Sequence, residues 1–181
     1  MFDQDMRIPS AIHQRLCEVC VSIGKDVVIV AAGGAHDLYL NYAMYFCQAG
    51  RSFRDVDRMG FYTRNEIKPQ FPRILARRDH IAIDRATARL LQASPAGEDA
   101  ALGDLMERLI RNSILAEGWV GQMFLLSRAD DPRTLTLPGP IHNASVGPRG
   151  QRVAWTQGQR YASSAALQAG ATWTDERDRV D

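Results

Sequence analysis

The run Val27-Val-Ile-Val-Ala-Ala32, closed by Gly33-Gly34, constrains the fold more than any other stretch of the chain. Its six residues are all apolar and the first four are β-branched, so no position turns naturally toward water. A strand covered on both faces is expected. The paired glycines break it, and Asp37 caps a helix expected to reach about Gln48. Leu38, Tyr39, Leu40, Tyr42, Met44, Tyr45 and Phe46 would make that helix apolar on nearly every side. Such a helix lies inside a domain or against a second copy of the chain, which raises a homo-oligomeric interaction module as one reading.

Elsewhere the pattern alternates between periods. Ser10 caps a helix carried by Ile12, Leu16, Val19, Cys20 and Ile23 and stopped by Gly24. Met59 to Thr63 and Arg73 to Ile83 read as strands around a turn at Asn65, with Pro69 and Pro72 excluding a regular central strand between them. Asp84 caps a short helix to Gln92. A stronger one starts near Asp99, with Leu102, Leu105, Met106, Leu109 and Ile110 on one face and Gly118 at its end. Asp104–Arg108 and Glu107–Arg111 are spaced as i,i+4 pairs on its solvent side. Gln122 to Ser127 reads as a buried strand, Thr134 to Leu137 and Arg152 to Thr156 as exposed neighbours, and Tyr161 to Ala169 as a last helix. The sum is about five helices and five or six strands. One strand–helix unit is followed by strand pairs and a helix pair, which predicts an α+β fold with a mixed β-sheet, a three-layer α/β sheet being the alternative.

A chain of 181 residues, 45% hydrophobic and 24% charged, suits a single globular domain over 1–173, with 174–181 as a frayed tail. The acidic start carries no signal-like apolar stretch, and the longest apolar run is about half of the ~20 residues that span a bilayer, so no membrane segment is expected. Three cysteines make no disulfide framework, which points to a cytoplasmic setting.

Charge carries the functional signal. Between Arg51 and Arg78 stand Arg51, Arg54, Arg58, Arg64, Lys68, Arg73, Arg77 and Arg78 against Asp55, Asp57 and Glu66. That is eight basic side chains against three acidic ones in a chain whose net charge is only +1. Guanidinium forks grip phosphate in two-pronged fashion, and Tyr62 within the window offers a stacking face. A second group, Arg149, Arg152 and Arg160 with Trp155 and Tyr161, punctuates the glycine-rich stretch Gly147 to Tyr161. The two segments together predict a domain that binds a phosphate-bearing partner, preferably nucleic acid, or a nucleotide.

Other constellations point to enzymes. Asp57, Glu66 and Lys68 have the spacing of metal-dependent nucleases, in which two carboxylates hold Mg²⁺ and the lysine steadies the attacking water; Mg²⁺ is implied only if that phosphodiesterase reading holds. Gly33-Gly-Ala-His-Asp37 follows a strand and opens a helix, where backbone N–H groups bind phosphate and His36 beside Asp37 can act as a base, the pattern of a nucleotide-handling enzyme. His13, Cys17 and Cys20 share a flank of the first helix and, with Cys47, have the donor types of a zinc site; small buried cysteines explain the same pattern.

Overall fold

The computed structural model describes residues 24–146, 148–151 and 158–170. In chain order the elements begin with β1 (Val27–Ala31), α1 (Ala35–Tyr42), β2 (Met44–Gln48), β3 (Arg58–Thr63), β4 (Glu66–Ile67), β5 (Gln70–Phe71) and β6 (Ile74–Ala82). There follow α2 (Arg85–Gln92), α3 (Gly97–Arg111), β7 (Val120–Leu126), β8 (Leu135–Thr136), β9 (Ile141–His142), β10 (Gln159–Ala162) and α4 (Ser164–Gln168). Helices and a mixed sheet are both present, as the sequence predicts. The described residues carry four helices rather than about five, and more strands than expected, because several strands are only two residues long. The helix expected over 10–24, the strand over 152–156 and the tail lie outside the described residues.

The five-stranded sheet runs β10-β1-β3-β4-β9, with β1 and β3 parallel and the other pairs antiparallel. The three-stranded sheet runs β2-β7-β6, all antiparallel, and β5 pairs with β8 in a small ribbon. Val27 to Val30 are buried on both faces of β1, which explains their unbroken apolar run. Val28, Val30, Met59, Phe61 and Tyr161 from the larger sheet meet Tyr45, Cys47, Phe124 and Leu126 from the smaller one in an inter-sheet core. The opposite face of the smaller sheet, through Met44, Ile81 and Met123, is covered by α2 and α3 with Ala88, Leu102, Leu105, Met106 and Leu109. The outer face of the larger sheet, through Val27, Ile29, Tyr62 and Ile67, is covered by Phe71, Leu167 and Leu135.

Two close approaches depend on glycine. A Cβ on Gly103 would lie 2.6 Å from the Ala88 carbonyl oxygen, so only hydrogen lets α3 settle on α2. A Cβ on Gly60 would meet the Phe71 ring at 2.8 Å.

The continuous apolar helix over 37–48 does not exist. Helix α1 stops at Tyr42, Ala43 turns left-handed at φ 53°, and Met44 to Gln48 form β2 against β7. A strand buried on both faces and a helix apolar all round present the same unbroken composition, and periodicity alone does not separate them. With that helix goes the argument it supplied for a homo-oligomer. Two further boundaries move for local reasons. Helix α3 ends at Arg111, before the left-handed Ser113, rather than at Gly118. Tyr161 belongs to β10, and the last helix starts only after Ser163, whose hydroxyl accepts from the Ala166 N–H at 3.4 Å. Of the two pairs expected on α3, Glu107–Arg111 forms at 2.9 Å, whereas Asp104 accepts from Gln92 instead. Among the described residues no helix is long and apolar enough to cross a membrane.

Candidate functional site

The arginine window does not fold into one surface. Its members part where the two sheets diverge, because β6 presents Arg77 toward the inter-sheet core and Arg78 toward α3. At the mouth of that core the loop after β2 lays Phe53 edge-on against Phe124, ring centres 5.1 Å apart. The Arg51 guanidinium sits 5.4 Å from the centre of the Phe53 ring and the Arg77 guanidinium 5.3 Å, so one ring carries two cations. Arg77 also lies 5.4 Å from the centre of the Phe124 ring. Arg51 donates to the Tyr45 hydroxyl at 2.9 Å, and burial pushes that phenol up to about 12, which keeps it a neutral partner. Gln122, fully buried, donates to the Arg51 carbonyl, and its Oε1 has no partner among the described residues.

The second predicted segment reaches the same place. Gln159 donates to the Ser52 carbonyl, the Arg54 N–H donates to the Tyr161 hydroxyl at 3.0 Å, and the Arg54 guanidinium lies 4.7 Å from the centre of the Tyr161 ring. Thus Arg51, Arg54, Arg77 and Tyr161 gather at one mouth. None of the three arginines forms an ion pair with a carboxylate among the described residues. Tyr161 itself is 1% exposed, so its ring serves as a platform for Arg54 rather than for a base.

The far end of β3 holds a different arrangement. Arg64 and Asn65, both left-handed, turn the chain into β4. Glu66 takes Lys68 Nζ on one carboxylate oxygen at 2.5 Å and His142 Nδ1 on the other at 3.2 Å. The Lys68 hydrogen bond holds the Glu66 carboxyl below its usual range. His36, at the start of α1, stands near this group; burial first, and the Lys68 charge second, depress its pKa. Its Nε2 is buried without a partner among the described residues, and its ring centre is 5.6 Å from that of Phe61. Tyr62 is buried at 8% exposure, and its hydroxyl joins Asn65 and Asn143, each at 3.0 Å, so its ring is packed rather than offered for stacking.

The remaining basic residues are scattered. Arg58 donates to the carbonyls of Phe71 and Arg133, Arg78 pairs with Asp99, and Arg73 is exposed beside the β6 start. Arg149 is exposed in the stretch after Gly147, and Arg160 stands opposite Ile29 on β10, on the face away from Tyr161. Arg152 and Trp155 lie outside the described residues.

The proposed carboxylate pair does not meet. Asp57 precedes β3 and Glu66 pairs with Thr63 at the other end, so the length of that six-residue strand, about 20 Å, separates them. One Mg²⁺ cannot bridge that span with direct ligands at about 2 Å. His13, Cys17 and Cys20 lie outside the described residues; Cys47 is buried, and burial raises its thiol pKa. Among the described residues no group of three His, Cys, Asp or Glu side chains is placed to hold a metal.

Comparison with known proteins adds nothing to this geometry. No family model, no curated protein and no solved structure matches the chain. Phe53 stands among the charges of the arginine window in the sequence, whereas Phe124, brought to it from β7, carried no such signal. His142 gave no signal at all, because its carboxylate partner is supplied by strand pairing from a distant part of the chain.

Proposed function

We propose that the chain binds a phosphate-bearing ligand, preferably nucleic acid, at the mouth of the inter-sheet core, through Arg51, Arg54 and Arg77. One observation carries this reading: three guanidinium groups from two segments are held on aromatic rings, with no ion pair to a carboxylate among the described residues. A stacked guanidinium keeps its full charge and directs its in-plane N–H donors outward, whereas an ion-paired one has already spent both. Half-buried Phe53 and the pinned loop fix the three forks relative to one another, which reduces the ordering cost of gripping a phosphate chain. Arg64, Lys68, Arg73 and Arg78 face other directions and are not part of this surface.

Salt dependence tests the proposal. If the three arginines displace counterions from a single strand, log K for a fluorescent oligonucleotide should fall with log[salt] at a slope of about −2. The triple variant Arg51→Gln, Arg54→Gln, Arg77→Gln keeps stems over the rings while removing the charges, and should weaken binding by about tenfold to a hundredfold. Affinity that ignores salt, or that survives the triple variant, removes the reading.

A further inference from the structure

The end of β3 that the arginine surface leaves unused carries its own cleft. A cavity of about 370 Å³ opens between the Arg64–Asn65 turn and the segment that follows β9, lined by Arg64, Asn65, His142, Asn143, Ser145 and Val146. Its walls are fixed. Asn143 is buried and donates to Asn65 Oδ1 at 3.2 Å and to the Tyr62 hydroxyl at 3.0 Å, while Asn65 donates back to the Asn143 carbonyl at 3.3 Å. Ser145 N–H closes a local turn on Asn143 Oδ1 at 2.9 Å.

Two exposed basic side chains stand at this cleft. Arg64 occupies a left-handed position, φ 50°, in a two-residue turn that favours Asn, Asp or Gly, and its side chain is exposed. His142 is 75% exposed, its Nδ1 lies 3.2 Å from a Glu66 oxygen, and its ring lines the cleft, so Nε2 is the nitrogen a ligand would meet. The same carboxylate is already matched by Lys68 at 2.5 Å. Lys68 and Glu66 cancel, so the net charge facing the cavity is that of Arg64, with the His142 imidazole beside it as a second N–H group. A planar guanidinium fork and an imidazole N–H at one cleft match the three free oxygens of a terminal phosphate better than the two of an internal phosphodiester.

We infer that this cleft binds a terminal phosphate, a phosphate monoester dianion, gripped by Arg64 and by the Nε2–H of His142. The inference deepens the phosphate-binding reading by naming which phosphate is recognised, and it rests on that reading only for the polynucleotide experiment below. Free inorganic phosphate and the 5′ end of a nucleic acid share this chemistry.

Two measurements decide it. The first compares short single strands with and without a 5′-phosphate by fluorescence anisotropy, the dye on the 3′ end. Wild-type protein should prefer the phosphorylated strand by about tenfold, the scale of one charge-assisted grip. The preference should vanish in Arg64→Asn, which suits the turn and deletes only the fork, and in His142→Gln. Equal affinity for the two strands, or a preference kept in both variants, overturns the inference while leaving the arginine surface standing. The second titrates inorganic phosphate while following the His142 ring resonances by ¹H–¹⁵N NMR. They should move in the wild type and stay still in Arg64→Asn. If neither strand binds, the arginine surface falls and this titration alone judges the cleft: unmoved His142 resonances sink it.

Discussion

The two ends of β3 receive their positive charge from the same short window yet treat it in opposite ways. At the mouth of the inter-sheet core, Arg51, Arg54 and Arg77 are laid on Phe53, Phe124 and Tyr161. At the hairpin end, Lys68 is joined to Glu66, which also takes His142. A ring holds a guanidinium by its face without cancelling its charge; a carboxylate holds it by cancelling it. The contrast shows that a count of basic residues along a sequence overstates the charge available to a ligand. What decides is whether topology sets a ring or an acid opposite each cation. It also separates the two proposed kinds of recognition, a repeating phosphate chain at the arginine array and one terminal phosphate at the cleft.

The largest effect that can break this comparison lies under the arginine array. Phe124 is 1% exposed and supports Phe53, Tyr45 and Arg77. Phe124→Ala should cost about 3–5 kcal/mol in urea unfolding, the range for truncating a buried aromatic. Oligonucleotide affinity should fall with it, while the phosphate response of the His142 ring persists in whatever protein remains folded. A joint loss of both responses in folded protein would mean that the ends are one site.

A smaller perturbation addresses the other end. Tyr62→Phe removes the hydroxyl that bonds Asn65 and Asn143 at 3.0 Å each. The buried Asn143 amide keeps its bond to Asn65 Oδ1, so the expected loss is about 1–2 kcal/mol rather than the full penalty of an orphaned group. Hydrogen exchange at the Asn143 amide should quicken, with the mouth unaffected. Unchanged stability would show that the hydroxyl bonds contribute nothing net to the cleft wall.

These differences between the ends were only partly visible in the residue order. β1, β3, β6 and α2 were legible because a β-branched run, flanking turn residues and the Asp84 cap act locally, and Asp84 indeed accepts from the Thr87 N–H at 2.7 Å. The apolar stripe of α3 was legible for the same reason: Leu102, Leu105, Met106, Leu109 and Ile110 are all buried. The split of 37–48 into α1 and β2 was not, since the break rests on a left-handed alanine that no local rule favours. Concentration of arginine was visible, but its division between the faces of β6 depends on pairing with β7, a contact made across more than forty residues. The misplaced carboxylate pair failed similarly: spacing along the chain said nothing about Asp57 and Glu66 lying at opposite ends of one strand.

Arg78→Ala gives a finer test of that division. Arg78 follows Arg77 directly but points to α3, where it pairs with Asp99, its side chain 42% exposed. A partly exposed pair of this kind is worth about 0–1 kcal/mol. Unfolding should shift by no more than that, and oligonucleotide affinity should stay at the wild-type value while Arg77→Gln lowers it. Equal losses from the two neighbours would mean that net charge, not the faces of β6, governs binding.

The smallest effect is silent at neutral pH and appears only in acid. His36 stands beside Lys68 at the hairpin end; burial, and then the lysine's charge, lower its pKa from the ordinary histidine value of 6.5. In the unfolded chain that histidine takes up a proton as pH falls through about 6.5, whereas the folded protein resists until a lower pH. The unfolded state therefore binds more protons in this window, and stability declines as pH drops through it, levelling off once the folded form also protonates. Glu66 adds a separate loss further down, because its lowered pKa contributes stability only above the unfolded carboxylate range, and that contribution fades as pH falls through the folded value. His36→Gln should abolish the decline that begins near 6.5 and leave the Glu66 loss in place, as read from urea midpoints across pH. The mouth of the inter-sheet core, whose cations are arginines, should show neither step in the pH dependence of its oligonucleotide affinity once stability is accounted for. A histidine-range step in that affinity that disappears in His36→Gln would couple the two ends and undo the distinction drawn between them.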